Sequence, residues 1–213
     1  GIPIPSGKAW GMWKISVGTR SSSRKFHLLI GASVALFLAA QTIQPIFPLY
    51  VTEKGASTFE LGLILSIMSF TAIVAKIPLG ILAEHFGKWK VIPIALLGQS
   101  ISLILYSIVP NPSWFYPIRI FHALILAAFA PTTIAITSDL APEGKRGDRI
   151  GKYLTSFGAA TMFGPFLCSF LLGYLDYVRI LRLVAVIPLL GFVAFLLADR
   201  RGSPVSQAEL FEK

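Results

Sequence analysis

Long uncharged apolar runs, each closed by a short charged or polar turn, divide this sequence into six segments. No Lys, Arg, Asp or Glu falls between Lys25 and Glu53, and residues 26–50 (FHLLIGASVALFLAAQTIQPIFPLY) predict a first helix. After the polar turn VTEKGASTFE, residues 61–83 predict a second, interrupted only by Lys76. A third covers residues 91–109 and stops at Pro110-Asn111-Pro112, a pairing that disfavours helix on both sides of itself. Residues 115–137 predict the fourth, with Arg119 inside it; residues 151–175 the fifth; residues 183–197 the sixth, which is short and borrows a turn from VRILR before it. Each run is near the roughly 20 apolar residues that cross a bilayer as a helix. The predicted fold class is an all-α integral membrane bundle of six transmembrane helices, spanning residues 26–198.

Composition agrees and narrows the choice. Of 213 residues, 54% are hydrophobic and 14% charged, against roughly 25% charged in soluble domains, and the mean hydropathy is +0.72. These values exclude a disordered chain and a secreted disulfide scaffold. The single cysteine, Cys168, excludes an intrachain disulfide and a multi-cysteine metal site, and no cofactor motif is present. The net charge of +9 invites a nucleic-acid reading until the basic residues are placed. Lys8, Lys14, Arg20, Arg24 and Lys25 precede the first span, Lys88 and Lys90 lie between spans 2 and 3, and Lys145, Arg146, Arg149 and Lys152 lie between spans 4 and 5. Arg200, Arg201 and Lys213 follow the sixth, whereas the other side carries only Lys54, Arg179 and Arg182. Basic residues collect on the cytoplasmic side, so both termini are expected there, in a cell membrane, with lipid rather than nucleic acid as the partner of this charge. Residues 1–25 lack the apolar core of a signal peptide and read as a cytoplasmic leader, with Met12 a candidate start. Residues 199–213 read as a cytoplasmic tail or the beginning of a linker.

Several residues stand out chemically. The turn after span 2, Gly80-Ile-Leu-Ala-Glu84-His-Phe-Gly87-Lys88-Trp-Lys90, needs a residue free to take a positive φ, which Gly87 supplies. Glu84 cannot face lipid cheaply and is expected to pair with a cation or a helix N-terminus. On span 2, steps of three and four place Gly62, Ser66, Ser69, Ile73, Lys76, Gly80, Ala83 and Gly87 on one stripe. This mostly small stripe is expected to be the packed face, with Lys76 either at a helix interface or snorkelling toward the inner surface. Arg119 and His122 are three apart on span 4 and share a face; Arg119 either snorkels outward or lines a polar cavity with His122, a candidate to take up a proton because histidine is the side-chain type that ordinarily titrates near neutral pH. Gln41 and Gln44, also three apart, are expected to turn inward from lipid. All ten acidic residues lie in loops, tails or span ends, so no mid-membrane carboxylate is available to carry a proton.

The turn resembles the motif G-x-L-A-D-R-x-G-R-[RK] of the major facilitator superfamily: Gly80, Leu82, Ala83, Gly87 and Lys88 match, Glu84 stands for Asp and His85 for Arg. Other pieces follow in order. Pro48-Leu-Tyr50, Gly55-Ala-Ser57 and Gly62 are similar to the family's first hairpin. Arg119, His122 and Ala123 resemble R-x-x-Q-G. Asp139 and the basic loop from Lys145 to Gly151 follow. Gly151, Ala160, Gly164-Pro165 and Cys168-Ser169 resemble the family's antiporter pattern, in which Gly164 and Pro165 shape a helix interface. The resemblance implies a secondary transporter working by alternating access, with a small-molecule substrate, drug-like amphiphiles favoured. It implies that residues 26–198 form the N-terminal half of a twelve-span fold needing a second six-helix half. It also implies that Gly80, Glu84, Gly87, Lys88 and Asp139 form a conformational latch, while Gln41, Gln44, Arg119 and His122 face the substrate path. Internal similarity between spans 1–3 and 4–6 is too weak to read. Two other classes remain open: a non-transporting scaffold or channel subunit, and an intramembrane protease, for which Ser33 and His122 are the only conceivable pair. Neither a filter sequence nor a catalytic spacing favours them, and the chain reads as a carrier rather than an enzyme.

Overall fold

A computed structural model describes the backbone of residues 7–200 and the side chains of residues 22–198. The expectations for residues 1–6 and 201–213 lie outside the described residues. Helix α1 (Gly7–Ile43) is followed by a short α2 (Phe47–Glu53), then α3 (Thr58–Phe86), α4 (Lys88–Ser107), a single 3₁₀ turn at Pro112–Trp114, α5 (Phe115–Asp139), α6 (Arg146–Leu172) and α7 (Tyr177–Arg200). Six of these are long and apolar enough to cross a membrane: α1 from Ser22 onward, α3, the 3₁₀ turn with α5, α4, α6 and α7. The expected six-span, all-helical class is therefore what the chain adopts, and no strand occurs among the described residues.

Two local differences have clear causes. The first predicted helix does not run unbroken to Tyr50. It stops at Ile43, turns through residues 44–46, and restarts as α2. Pro45 has no N–H to continue the helical ladder, whereas Pro48 falls in the first turn of α2, where the missing N–H costs nothing. At its other end α1 extends as helix back to Gly7, through most of the segment read as a leader. Elsewhere the ends follow familiar chemistry. Ser57 caps α3, its hydroxyl accepting from the Glu60 N–H while the Glu60 carboxylate accepts from the Ser57 N–H. Gly87, at φ 95°, is the only residue between α3 and α4 and reverses the chain in a conformation that L side chains rarely adopt.

The closest helix pairings are α3 with α5, α4 with α7, α1 with α6, α4 with α5 and α1 with α7. Exchanging α1, α3 and α4 for α5, α6 and α7 maps this set onto itself. The packing thus carries a three-plus-three repeat that the sequence does not display.

Helices pack in lipid through close contact and hydrogen bonds rather than through exclusion of water. Two glycines mark where α1 is gripped. A Cβ at Gly164 of α6 would lie 2.6 Å from Gln41 Cβ and 2.8 Å from its carbonyl carbon, and one at Gly191 of α7 would lie 2.9 Å from Ala35 Cβ. At the end of the bundle carrying the α3–α4 turn, Ser22 Oγ donates to the Leu140 carbonyl (2.8 Å), and the Arg24 guanidinium donates to the Ala198 carbonyl (3.3 Å). At the opposite end, Tyr50 Oη donates to the Tyr106 carbonyl (2.9 Å) within an edge-on aromatic cluster of Phe47, Tyr50, Tyr106, Phe115 and Tyr177.

Candidate functional site

Arg119 and His122, one turn apart on α5, are brought together inside the bundle rather than on a cavity wall: Arg119 is 5% exposed and His122 1%. The Nε2–H of His122 donates to Gln99 Oε1 on α4 (2.8 Å), and Tyr106 Oη donates to its Nδ1 (3.3 Å), so both ring nitrogens are satisfied in the neutral imidazole. The Arg119 guanidinium lies 3.5 Å from the Phe47 ring centroid, at the start of α2, and 5.9 Å from that of Tyr106. Its Nη1 donates to Met68 Sδ on α3 at 2.8 Å. Arg119 belongs to none of the ion pairs among the described residues, and its Nε is buried without a partner, as is Nε2 of Gln99. A buried cation held by an aromatic face and a thioether is an unusual arrangement within a membrane, where ionisable residues mark function by default.

Sequence reasoning missed Gln99, Tyr106 and Met68. Gln99 left a signal, since Gln99, Ser100 and Ser102 put three polar residues into one apolar run. The serines are used structurally: Ser100 Oγ donates to the Ala185 carbonyl of α7 (2.8 Å) and Ser102 Oγ to the Gly98 carbonyl of its own helix (2.8 Å). Tyr106 and Met68 carry no comparable mark.

Gln41 and Gln44 part company. Gln41 is half-buried and donates from Nε2 to Thr161 Oγ1 on α6 (3.0 Å), beside the close approach at Gly164. Gln44 is exposed in the break between α1 and α2. Pro165 is exposed next to the buried Gly164.

In the turn region, Lys88 Nζ donates to Asp139 Oδ2 at 2.9 Å, tying the first turn of α4 to the last turn of α5 across 51 residues of chain. Gly87 lets α4 start at once, so Lys88 reaches Asp139 from its first position. Glu84 is exposed and belongs to none of the ion pairs among the described residues.

The stripe on span 2 requires a correction. Gly62, Ser66, Ser69, Ile73 and Lys76 are exposed, Ile73 by 71%, while Ile64 and Ala75, off the stripe, are buried; only toward the turn does the stripe pack, with Ala83 buried and Gly80 and Gly87 half-buried. A face of small residues signals close packing, but the partner need not be a helix of the same bundle. Lys76 accordingly lies open and not in a packed interface. The serine–histidine pair also fails. The Ser33 hydroxyl is fully buried and unpaired, and both nitrogens of His122 are engaged elsewhere.

Comparison with known proteins agrees with this architecture. Residues 29–212 match the model of the Major Facilitator Superfamily. The chain is 28% identical over 149 residues to the multi-drug resistance efflux pump PmrA of Streptococcus pneumoniae, covering 68% of this chain and 36% of the pump. It is 28% identical over 125 residues to an uncharacterised MFS-type transporter of Methanocaldococcus jannaschii, covering 59% and 32%. To the quinolone resistance protein NorA of Staphylococcus aureus it is 21% identical over 136 residues, covering 64% and 35%. The aligned segments span about a third of the length of these relatives. A matched region covering most of the sequence, on an all-helical chain with six helices long and apolar enough to cross a membrane, places this chain in the Major Facilitator Superfamily.

Proposed function

We propose that this chain is one six-helix bundle of a two-bundle transporter that exports small amphipathic molecules by alternating access, with both termini on the cytoplasmic side of the cell membrane. The observation that carries the reading is the open state of α3 and α6. Within their most apolar stretches only 11% and 17% of residues are buried, against 50% in α1 and 56% in α4. The open surface includes Gly62, Ser66 and Ser69 on α3 and Thr155, Gly158 and Ala159 on α6. Small and hydroxylated positions gain little from acyl chains but allow close approach of another helix, so they fit a second bundle, from the same polypeptide or another copy. The substrate class follows the relatives named for multidrug and quinolone resistance.

In this reading Gln41 and Gln44 offer hydrogen-bonding amides near the path, and Arg119 is a stored positive charge. Phe47 covers it in the conformation described; displacement of α2 about the break at residues 44–46 uncovers it for an anionic group of the substrate or of the second bundle. In this reading His122, with both ring nitrogens already bonded, braces α4 against α5 rather than carrying a coupling proton. Lys88 and Asp139, brought within reach by the turn at Gly87, form the latch with Gly80 close by on α3, and Glu84 is free to meet the second bundle.

Ethidium accumulation in a pump-deficient bacterium tests the proposal. Cells carrying the chain together with a second bundle should accumulate less dye than control cells, and those carrying the chain held as a monomer should not differ from controls. Equal accumulation with and without the paired bundles would overturn it.

A further inference from the structure

Helix length places Lys76 inside the hydrocarbon. With 29 residues, α3 is about 43 Å long against a hydrocarbon core of about 30 Å, so each end of the centred helix stands about 6 to 7 Å beyond the core. Lys76 lies ten residues before Phe86, about 15 Å from the helix end, which leaves its Cα about 8 Å inside the nearer boundary. Direction hinders its escape to the headgroups. Cα–Cβ bonds tilt toward the helix N-terminus, which for Lys76 is the farther surface, so its stem sets out the wrong way before it can turn back. Its neighbours Ile73, Val74 and Ile77 are apolar and 71%, 59% and 74% exposed; they belong to the face assigned above to a second bundle.

No carboxylate among the described residues is placed to meet this ammonium. Asp139, Asp148 and Asp176 are bonded to Lys88, Lys152 and Arg179. Glu53 and Glu60 stand at the opposite end of α3 and Glu143 lies in the connection after α5. Glu84 is eight residues on, about 12 Å along the axis, and no ion pair joins it to Lys76 among the described residues. Asp199 ends α7, whose close pairings are with α4 and α1, and Glu209 and Glu212 lie outside the described residues. A second copy of this chain would not help: it would add another Lys76 and another Arg119, and no acidic residue away from the span ends.

We propose that the second bundle presents an Asp or Glu inside one of its own spans, at the depth of Lys76, and that the two form an ion pair across the junction between bundles. That bundle therefore differs in sequence from this one. Charge complementarity carries the assignment, because ionisable residues within a membrane pair with one another or face water, and the carboxylates of the described bundle are engaged or out of reach. The pair presupposes the second bundle proposed above and adds which residue of α3 meets a charge on it.

Dicyclohexylcarbodiimide, which enters membranes and joins an amine to a touching carboxylate as an amide with loss of water, reads the pair in membranes of the cell that makes the protein. Mass spectrometry of the linked peptides should show Lys76 joined to an Asp or Glu within an apolar run of a different six-span sequence. Lys76→Arg keeps the charge but has no amine to couple, so that product should disappear. Benzoylphenylalanine at Ser66, on the same face and about 15 Å away along α3, should give adducts to the same bundle in wild type and in Lys76→Arg. A Ser66 adduct to a second bundle with no Lys76 amide would overturn the ion pair and leave the two-bundle reading standing. Absence of any protein adduct from Ser66 would overturn both. An amide from Lys76 to Glu84, to any other carboxylate of this chain, or to a second copy of it would also overturn the pair.

Discussion

Arg119 is a buried charge with no carboxylate partner among the described residues. A buried guanidinium with an unpaired Nε loses the hydration of its charge and recovers only part of it from Phe47 and Met68. Such a group does not persist for stability, since replacing a buried charge by a well-packed apolar side chain is commonly neutral or stabilising. Arg119→Met should therefore keep or raise the thermal unfolding midpoint in detergent while abolishing dye efflux. A destabilised protein with efflux intact would show that the charge is structural. The sequence identified Arg119 and His122 but not their surroundings. Charge within an apolar run is visible in one dimension, whereas the Phe47 ring and the Met68 sulfur become relevant only once α2 and α3 are folded against α5.

At the scale of elements, the contact of α1 with α6 and the tie between α4 and α5 make separate predictions. Gly164→Ala drives a methyl group against the backbone of α1, where both Gln41 C and Thr42 N lie under 3 Å from the new carbon. Backbone cannot step aside as a side chain can, so this overpacking should cost about 1 to 3 kcal/mol, read as a lower unfolding midpoint. Gly158→Ala, with nothing within 4 Å, should be neutral or slightly stabilising. The Lys88–Asp139 pair is half open to solvent, with side chains 27% and 61% exposed, and such pairs contribute at most about 1 kcal/mol. Lys88→Ala should thus barely change stability but should alter the rate of dye efflux more than the apparent affinity for dye. The exchange Lys88→Asp with Asp139→Lys should restore much of the rate. An unaltered rate in Lys88→Ala would remove the latch role.

Helix number was legible because charges close each apolar run, and Ser57, Gly87 and Pro110 punctuate it with known cap and break chemistry. The break after Ile43 was not read, although Pro45 announces it, because the surrounding run has no charge to divide it. The face of α3 was misassigned for a different reason. Periodicity groups Gly62, Ser66, Ser69 and Ile73 correctly on one stripe but cannot say which neighbour covers it.

At the scale of the whole molecule, the bundle is packed within but leaves much of α3 and α6 open, the surface assigned above to a second bundle. Its helix pairings repeat under exchange of one helix triplet for the other, a symmetry preserved in packing after sequence similarity has faded, because backbone arrangement constrains volume and polarity more than residue identity. Two kinds of open surface remain. On α7, Leu183, Val186, Leu190, Val193 and Leu197 form an apolar stripe suited to acyl chains. On α3 and α6 the small and hydroxylated positions suit another protein surface. Photocrosslinking in membranes distinguishes the two most directly, with benzoylphenylalanine placed in turn at Ser66 of α3, Thr155 of α6 and Leu190 of α7. Ser66 and Thr155 should give protein adducts, to a second six-helix bundle, and Leu190 only lipid adducts; lipid adducts alone from all three positions would show that no second bundle covers α3 and α6.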